Sequence, residues 1–67
     1  MLHFREFFII QSRHDGRFLT SELTYTNLAI KAGRMYDFEE ALDTARLNFD
    51  ADYSIFSAYE KINEGLH

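Results

Sequence analysis

Between Phe4 and Gln11 the chain sets aromatic or β-branched residues at Phe4, Phe7, Phe8, Ile9 and Ile10, on both sides of the two-residue alternation of a strand. Such residues favour extended backbone, and a strand apolar on both faces belongs inside a sheet, with cover on each side. The chain around it has 67 residues and no cysteine. One domain spanning residues 1–67 is therefore expected, with its core between about residues 4 and 62 and a frayed tail over 63–67. A chain of this length buries only about 60% of the surface it exposes when unfolded. With cysteine absent, neither disulfides nor thiolate metal sites can reinforce it. Phe and Tyr supply 11 residues, more ring surface than so small an interior holds. A second copy of the chain is the remaining reinforcement, so a homodimer is expected.

The segment Arg13-His14-Asp15-Gly16-Arg17 interrupts the apolar run. Asp-Gly predicts a type I′ hairpin turn, whose two central residues need positive φ. The returning strand begins at Phe18 and Leu19 and is expected to reach about Glu22 or Leu23, with Thr24 to Asn27 polar but extended. Asn27 to Tyr36 is ambiguous: Leu28, Ala32 and Met35 fit helical spacing, whereas Gly33-Arg34-Met35-Tyr36 fits a short extended piece, and the extended reading is preferred. At Asp37 the Asp-x-x-Glu spacing to Glu40 predicts a capped helix start. Phe38, Ala41, Leu42, Ala45 and Phe49 then form one apolar stripe along a helix of about 11 residues that ends near Asn48. Tyr53 to Ile62 alternates as a last strand, with Tyr53, Ile55, Ser57 and Tyr59 on one face and Phe56, Ala58 and Ile62 on the other.

Right-handed crossover from the second strand through the helix puts the last strand beside the first and antiparallel to it. The expected fold is thus α+β: a small antiparallel sheet of three to four strands with one helix packed on one face. The other face is left for association. Phe7, Ile9, Tyr53 and Tyr59 are the expected dimer contacts, with Phe56 as the substitute if the faces are reversed. No proline blunts an edge strand, which favours pairing with a second chain.

Chemistry-bearing constellations are sparse. His3, His14 and His67 do not stand at ligand spacing from one another, so no metal is expected. Asn48-x-Asp50-x-Asp52 opens like a calcium loop, but Tyr53 and Tyr59 fall where a glycine and a bidentate Glu are needed. Ser12 beside His14 has no third group, and Glu39 with Asp43 is accounted for by the helix dipole. No enzyme activity and no cofactor are expected. Two surfaces remain as candidate partner sites. One is the hairpin tip with Arg13, His14 and Arg17, where the plain alternative is a charged tip that keeps the hairpin soluble. The other is the acidic helix face with Glu39, Glu40 and Asp43, where the plain alternative is a solvated, dipole-matched face.

The formal charge of −4 argues against nucleic acid as the main partner. Six carboxylates between Asp37 and Asp52 face only Arg46, so the negative charge is concentrated in the helix region. The early apolar run Phe7 to Ile10 is too short for a signal peptide or a membrane span of about 20 residues. A cytoplasmic setting and no membrane partner are expected.

Phe8-Ile9-Ile10, then Asp15-Gly16-Arg17-Phe18-Leu19, then Asp37-Phe38-Glu39-Glu40-Ala41 and finally Tyr53-Ser54-Ile55-Phe56 follow one another in an order that resembles a loose group of very small phage-encoded accessory proteins of unassigned function. The resemblance implies a host-takeover or anti-defence protein without catalysis, acting in the host cytoplasm by occupying the surface of a bacterial host protein. It carries over no site residues. The alternatives are a single-stranded nucleic-acid binder working through sheet aromatics, and a sponge for a small signalling nucleotide held by Arg13, Arg17 and Arg34.

Overall fold

A computed structural model describes residues 2–63. The tail read as frayed thus lies outside the described residues beyond residue 63, and with it His67. Four strands and one helix follow in the order β1 (Leu2–Ser12), β2 (Phe18–Leu19), β3 (Tyr25–Thr26), a single 3-10 turn (Ala29–Lys31), α1 (Phe38–Phe49) and β4 (Tyr53–Asn63). The strands form one antiparallel open sheet ordered β3-β2-β1-β4, with α1 packed against it. The α+β fold is the one anticipated, and the two-sided apolar strand β1 is interior to the sheet, between β2 and β4.

The ladder between β1 and β4 runs from Leu2 opposite Asn63 to Ser12 opposite Tyr53. Directly opposite residues share a face. Phe8, Ile10 and Ser12 therefore share the helix side with Tyr53, Ile55 and Ser57, while Phe7, Ile9 and Gln11 share the other side with Ala58, Phe56 and Ser54. On the helix side Ile10, Leu19 and Ala45 are shut off from solvent, and Met35, Phe49, Tyr53 and Ile55 pack around them. The helical stripe does what its spacing predicts: Ala41 and Ala45 are fully buried, and the Phe38 ring meets Phe8 edge-on with centroids 5.5 Å apart.

Several local expectations are corrected. The first hairpin does not close through a type I′ turn. The Ser12 N–H donates to the Arg17 carbonyl and the Gly16 N–H to the Ser12 carbonyl, so the loop is longer and Gly16 alone in it has positive φ (77°). Asp15 stabilises this loop by accepting the Arg17 N–H at 3.1 Å, which a two-residue turn would not allow. β2 stops at Leu19 because Thr20 turns the chain: its hydroxyl accepts the Thr24 N–H and its N–H donates to the Thr24 carbonyl. Leu23, with φ of 63°, completes that turn, and β3 returns along β2.

Asn27 to Tyr36 divides. Ala29–Lys31 is a helical turn, contrary to the extended reading, whereas Met35 is extended and exchanges hydrogen bonds with Phe8 at 2.7 and 3.0 Å. This segment continues where β2 is too short, covering β1 farther along its length. Asp37 has the extended dihedrals of an N-cap, but its side chain makes no cap bond; only its carbonyl accepts the Ala41 N–H. The start of α1 is held instead by tertiary contacts on either side, the Tyr36 hydroxyl on Glu60 and the Phe38 ring on Phe8. The helix ends one residue later than anticipated, at Phe49, where Asp50 takes positive φ.

Candidate interaction surface

The four expected dimer contacts are not brought together. The register puts Phe7 and Ile9 on the face away from α1, and Tyr53 and Tyr59 on the helix face. Alternation in β1 and in β4 was readable separately; which phase of one meets which phase of the other depends on the register, and the register couples Phe7 to Ala58 and Ile9 to Phe56. Phe56, held as the substitute, is the residue that joins Ile9.

Phe7 is also not a free contact. It is only 8% exposed although it lies opposite the helix, because the Arg34 guanidinium stacks 4.4 Å from its ring centre. Arg34 is held there by Glu60, at 2.7 Å between Nη1 and Oε1. Glu60 accepts at the same time from Arg5, at 2.6 Å through Nη2 and 3.2 Å through Nε, and from the Tyr36 hydroxyl at 3.3 Å. The Arg5 guanidinium lies over the Tyr36 ring at 4.0 Å. Hydrogen bonds from Arg5 and then Arg34 hold the Glu60 carboxyl below the usual carboxylate range, against the effect of its desolvation. Donating these bonds to Glu60 in turn raises the Arg5 guanidinium above its ordinary value. This clamp ties β1, β4 and the segment before α1 together across the outer face.

Sequence reasoning missed Glu60. The signal for it was the antiparallel placement of the first and last strands, but Arg5 and Glu60 are 55 positions apart, and only the register makes them opposite neighbours.

Next to the clamp the outer face becomes apolar: Ile9 is half-buried, Phe56 is 47% exposed and Ala58 is exposed. At the far end Arg13 returns a cation to this face by donating from Nε to the Ser54 hydroxyl at 3.1 Å. An apolar centre flanked at both ends by guanidinium groups is thus set on the side of the sheet opposite the acidic helix. Apolar centre and polar rim are the usual anatomy of a protein interface.

Of the two predicted partner surfaces, the hairpin tip shares Arg13 with this face, and the acidic helix face lies on the other side of the sheet. At the hairpin tip Arg17 is engaged by Asp15, at 2.8 Å, and stands 5.2 Å from the Tyr25 ring centre, while Arg13 turns to Ser54. The Arg17 N–H and then its guanidinium hold the Asp15 carboxyl below its ordinary range. His14 is exposed, and its backbone N–H, not its imidazole, meets the Ser12 hydroxyl. A shallow cleft of about 290 Å³ lies beside this loop, lined by Tyr25 and Phe49 together with Asp15, Arg17 and Asp52. Its charges are already mixed and Arg17 is already neutralised. Glu39, Glu40 and Asp43 are exposed on α1, the first two in its first turn, at the opposite end of the helix from this cleft.

Arg13, Arg17 and Arg34 enter three separate contacts, with Ser54, Asp15 and Glu60, and do not converge on one pocket. Among the described residues no group of three His, Cys, Asp or Glu side chains is arranged to hold a metal ion. No helix among them is long and apolar enough to cross a membrane. Comparison with protein-family models, with curated proteins and with solved structures finds no match to the chain.

Proposed function

We propose that this chain is a cytoplasmic, non-enzymatic protein-binding module that docks its partner on the sheet face opposite α1. The observation that carries the reading is the apolar centre of exposed Phe56 and Ala58 with half-buried Ile9, between the Arg13 end and the Arg5–Arg34 end of that face. The charge of this face runs against the net −4 of the chain. Its complement is therefore a protein surface with apolar side chains flanked by carboxylates. The resemblance to phage accessory proteins makes a bacterial host protein the class of partner, and an inhibitor by occupancy the mode of action.

An exposed ring with nearby arginines also suits a single-stranded nucleic acid, which is the second reading. Stacking platforms use successive uncovered rings, whereas here Phe7 is buried under Arg34 and the Tyr36 ring already carries Arg5 on one face. The protein-binding reading is favoured for that reason.

The test is a photo-crosslinking residue placed at Phe56 and, as a control, at Leu47, which is 87% exposed on α1. In bacterial cytosol the reading expects from position 56 a discrete adduct to a protein other than a second copy of the chain, and none from 47. Phe56→Ala should weaken capture of that protein at least tenfold with an unchanged melt. Equal adducts from both positions, or tight binding of single-stranded oligonucleotide at low salt in place of a protein adduct, would overturn it.

A further inference from the structure

Backbone groups along β4 point to an occupant for its outer edge. Phe8 uses both its N–H and its C=O on Met35, and Ser12 donates to Arg17, so the even-numbered residues of β1 turn their backbone groups away from β4. The odd-numbered residues turn theirs toward it. Their opposite numbers Ser54, Phe56, Ala58 and Glu60 are thereby engaged with β1. Tyr53, Ile55, Ser57, Tyr59 and Lys61 are left with N–H and C=O directed outward, at an edge where no strand lies among the described residues. The sheet's other outer strand, β3, has only two residues. An outer strand this long, with no proline, is an open template for another strand.

We infer that the occupant is the β4 of a second copy, paired antiparallel about a twofold axis through Ser57. In such a pair one residue stands opposite itself, so the possible registers are few and their side-chain pairs can be compared. Axes at Glu60 or Lys61 set like charges face to face. An axis at Phe56 sets Asp52 against Glu60, and one at Ala58 sets Ile55 against Lys61 and Phe56 against Glu60. An axis at Tyr59 leaves as many residues unpaired as one at Ser57, but it sets Ala58 against Glu60 and Ile55 against Asn63.

The axis at Ser57 pairs Ile55 with Tyr59, Tyr53 with Lys61, Phe56 with Ala58 and Ser54 with Glu60. Apolar groups meet apolar groups and no like charges meet. Tyr59, 66% exposed in the single chain, gains Ile55 of the second copy as its neighbour. Because the axis stands perpendicular to the sheet, both helices lie on one side. The two outer faces join on the other side, with Phe56 and Ala58 of both copies at the centre. The inference stands independently of the target-binding reading, since dimerisation needs no foreign protein.

Sedimentation equilibrium of the intact protein at micromolar concentration is the first measurement, and twice the chain mass of 7.9 kDa is expected. A monomer mass persisting at ten times that concentration would overturn the inference. The register is read by single cysteines in this cysteine-free chain. Self-opposed residues that exchange both hydrogen bonds have Cα atoms about 5.5 Å apart, within disulfide reach. Under mild oxidation Ser57→Cys should cross-link at least tenfold faster than Phe56→Cys or Ala58→Cys. Fastest cross-linking at either of those would overturn the axis.

A third variant separates edge pairing from folding. The Ser57 N–H points outward, so Ser57→Pro removes a bond to the second copy and none to β1. It should yield a monomer with a native far-UV spectrum; an unchanged dimer mass would overturn the inference. Should this variant unfold, the cysteine series still decides. Loss of the Phe56 adduct with the dimer intact would count against the target reading alone.

Discussion

At the Ser12–Tyr53 end of the β1–β4 ladder, Ile10 is 1% exposed under α1, with Leu19 and Ala45 beside it. At the Leu2–Asn63 end the same two strands continue in the same register, yet Phe4 is 63% exposed and Tyr59 is 66% exposed. Backbone pairing is common to both ends. What differs is the side-chain cover: a packed apolar layer at one end, and at the other a carboxylate shared between two guanidinium groups and a tyrosine. A two-stranded ribbon has little independent stability in water. The contrast teaches that a ladder can outrun its core when an ionic clamp and arginine–aromatic stacking take over part of the cover.

The largest effect expected from this contrast is at the packed end. Ile10→Ala should cost about 2–5 kcal/mol, the usual range for deleting a buried aliphatic side chain. Phe4→Ala should stay within about 0.5 kcal/mol in the isolated chain. Chemical denaturation of the two variants measures both, and equal losses would mean that the far end is as tightly packed as the near one.

Gly33→Ala asks whether the two ends are coupled. The Gly33 N–H donates to the Leu19 carbonyl, and the segment it begins carries Arg34 and Tyr36 to the clamp. A Cβ on Gly33 would lie 2.7 Å from the Ser21 backbone nitrogen and 3.0 Å from the Thr20 carbonyl carbon. Backbone must shift to admit it, at about 1–3 kcal/mol. Amide exchange should speed up at both ends of the ladder. Acceleration at the near end alone would show that the clamp does not depend on this anchor.

Glu60→Gln should have the smallest global effect and the most local one. Amide exchange is expected to accelerate in the Leu2–Phe7 part of β1 and to change little around Ile10. The sign with pH follows from the direction of the shift. A carboxyl held below its unfolded value contributes its full stabilisation above the ordinary carboxylate range, and that contribution is lost as pH falls through its folded value. The parent and the variant should therefore differ at neutral pH and converge in acid. A difference that persists unchanged in acid would assign the far end to something other than the clamp.

Much of this arrangement was legible beforehand, and the portions that were not share a cause. The α1 stripe of Phe38, Ala41, Leu42, Ala45 and Phe49 needs only helical spacing and an apolar surface to rest on. The interior position of β1 follows from its two apolar faces. By contrast, the Asp37–Glu40 spacing suggested a side-chain cap that does not form, because Tyr36 and Phe38 are already anchored to Glu60 and Phe8. The hairpin-tip residues were chosen for exposure and charge, but that Arg13 turns to Ser54 on the outer face and Arg17 to Asp15 depends on the fold. The residues of the outer face were each visible as alternating strand positions, but their association was not.

The sequence by itself determined the types of β1, α1 and β4, the α+β class, the central place of β1 and the alternation within β1 and β4, because these depend on neighbours in the chain and on the periods of helix and strand. Only the tertiary structure decided that Ile9 meets Phe56, that Arg5 and Arg34 share Glu60, and that Tyr53 to Lys61 form an edge with no strand against it among the described residues. Those facts hang on one quantity, the register of two strands separated by a long connection, and a shift of a single residue would send every side chain of β4 to the opposite face.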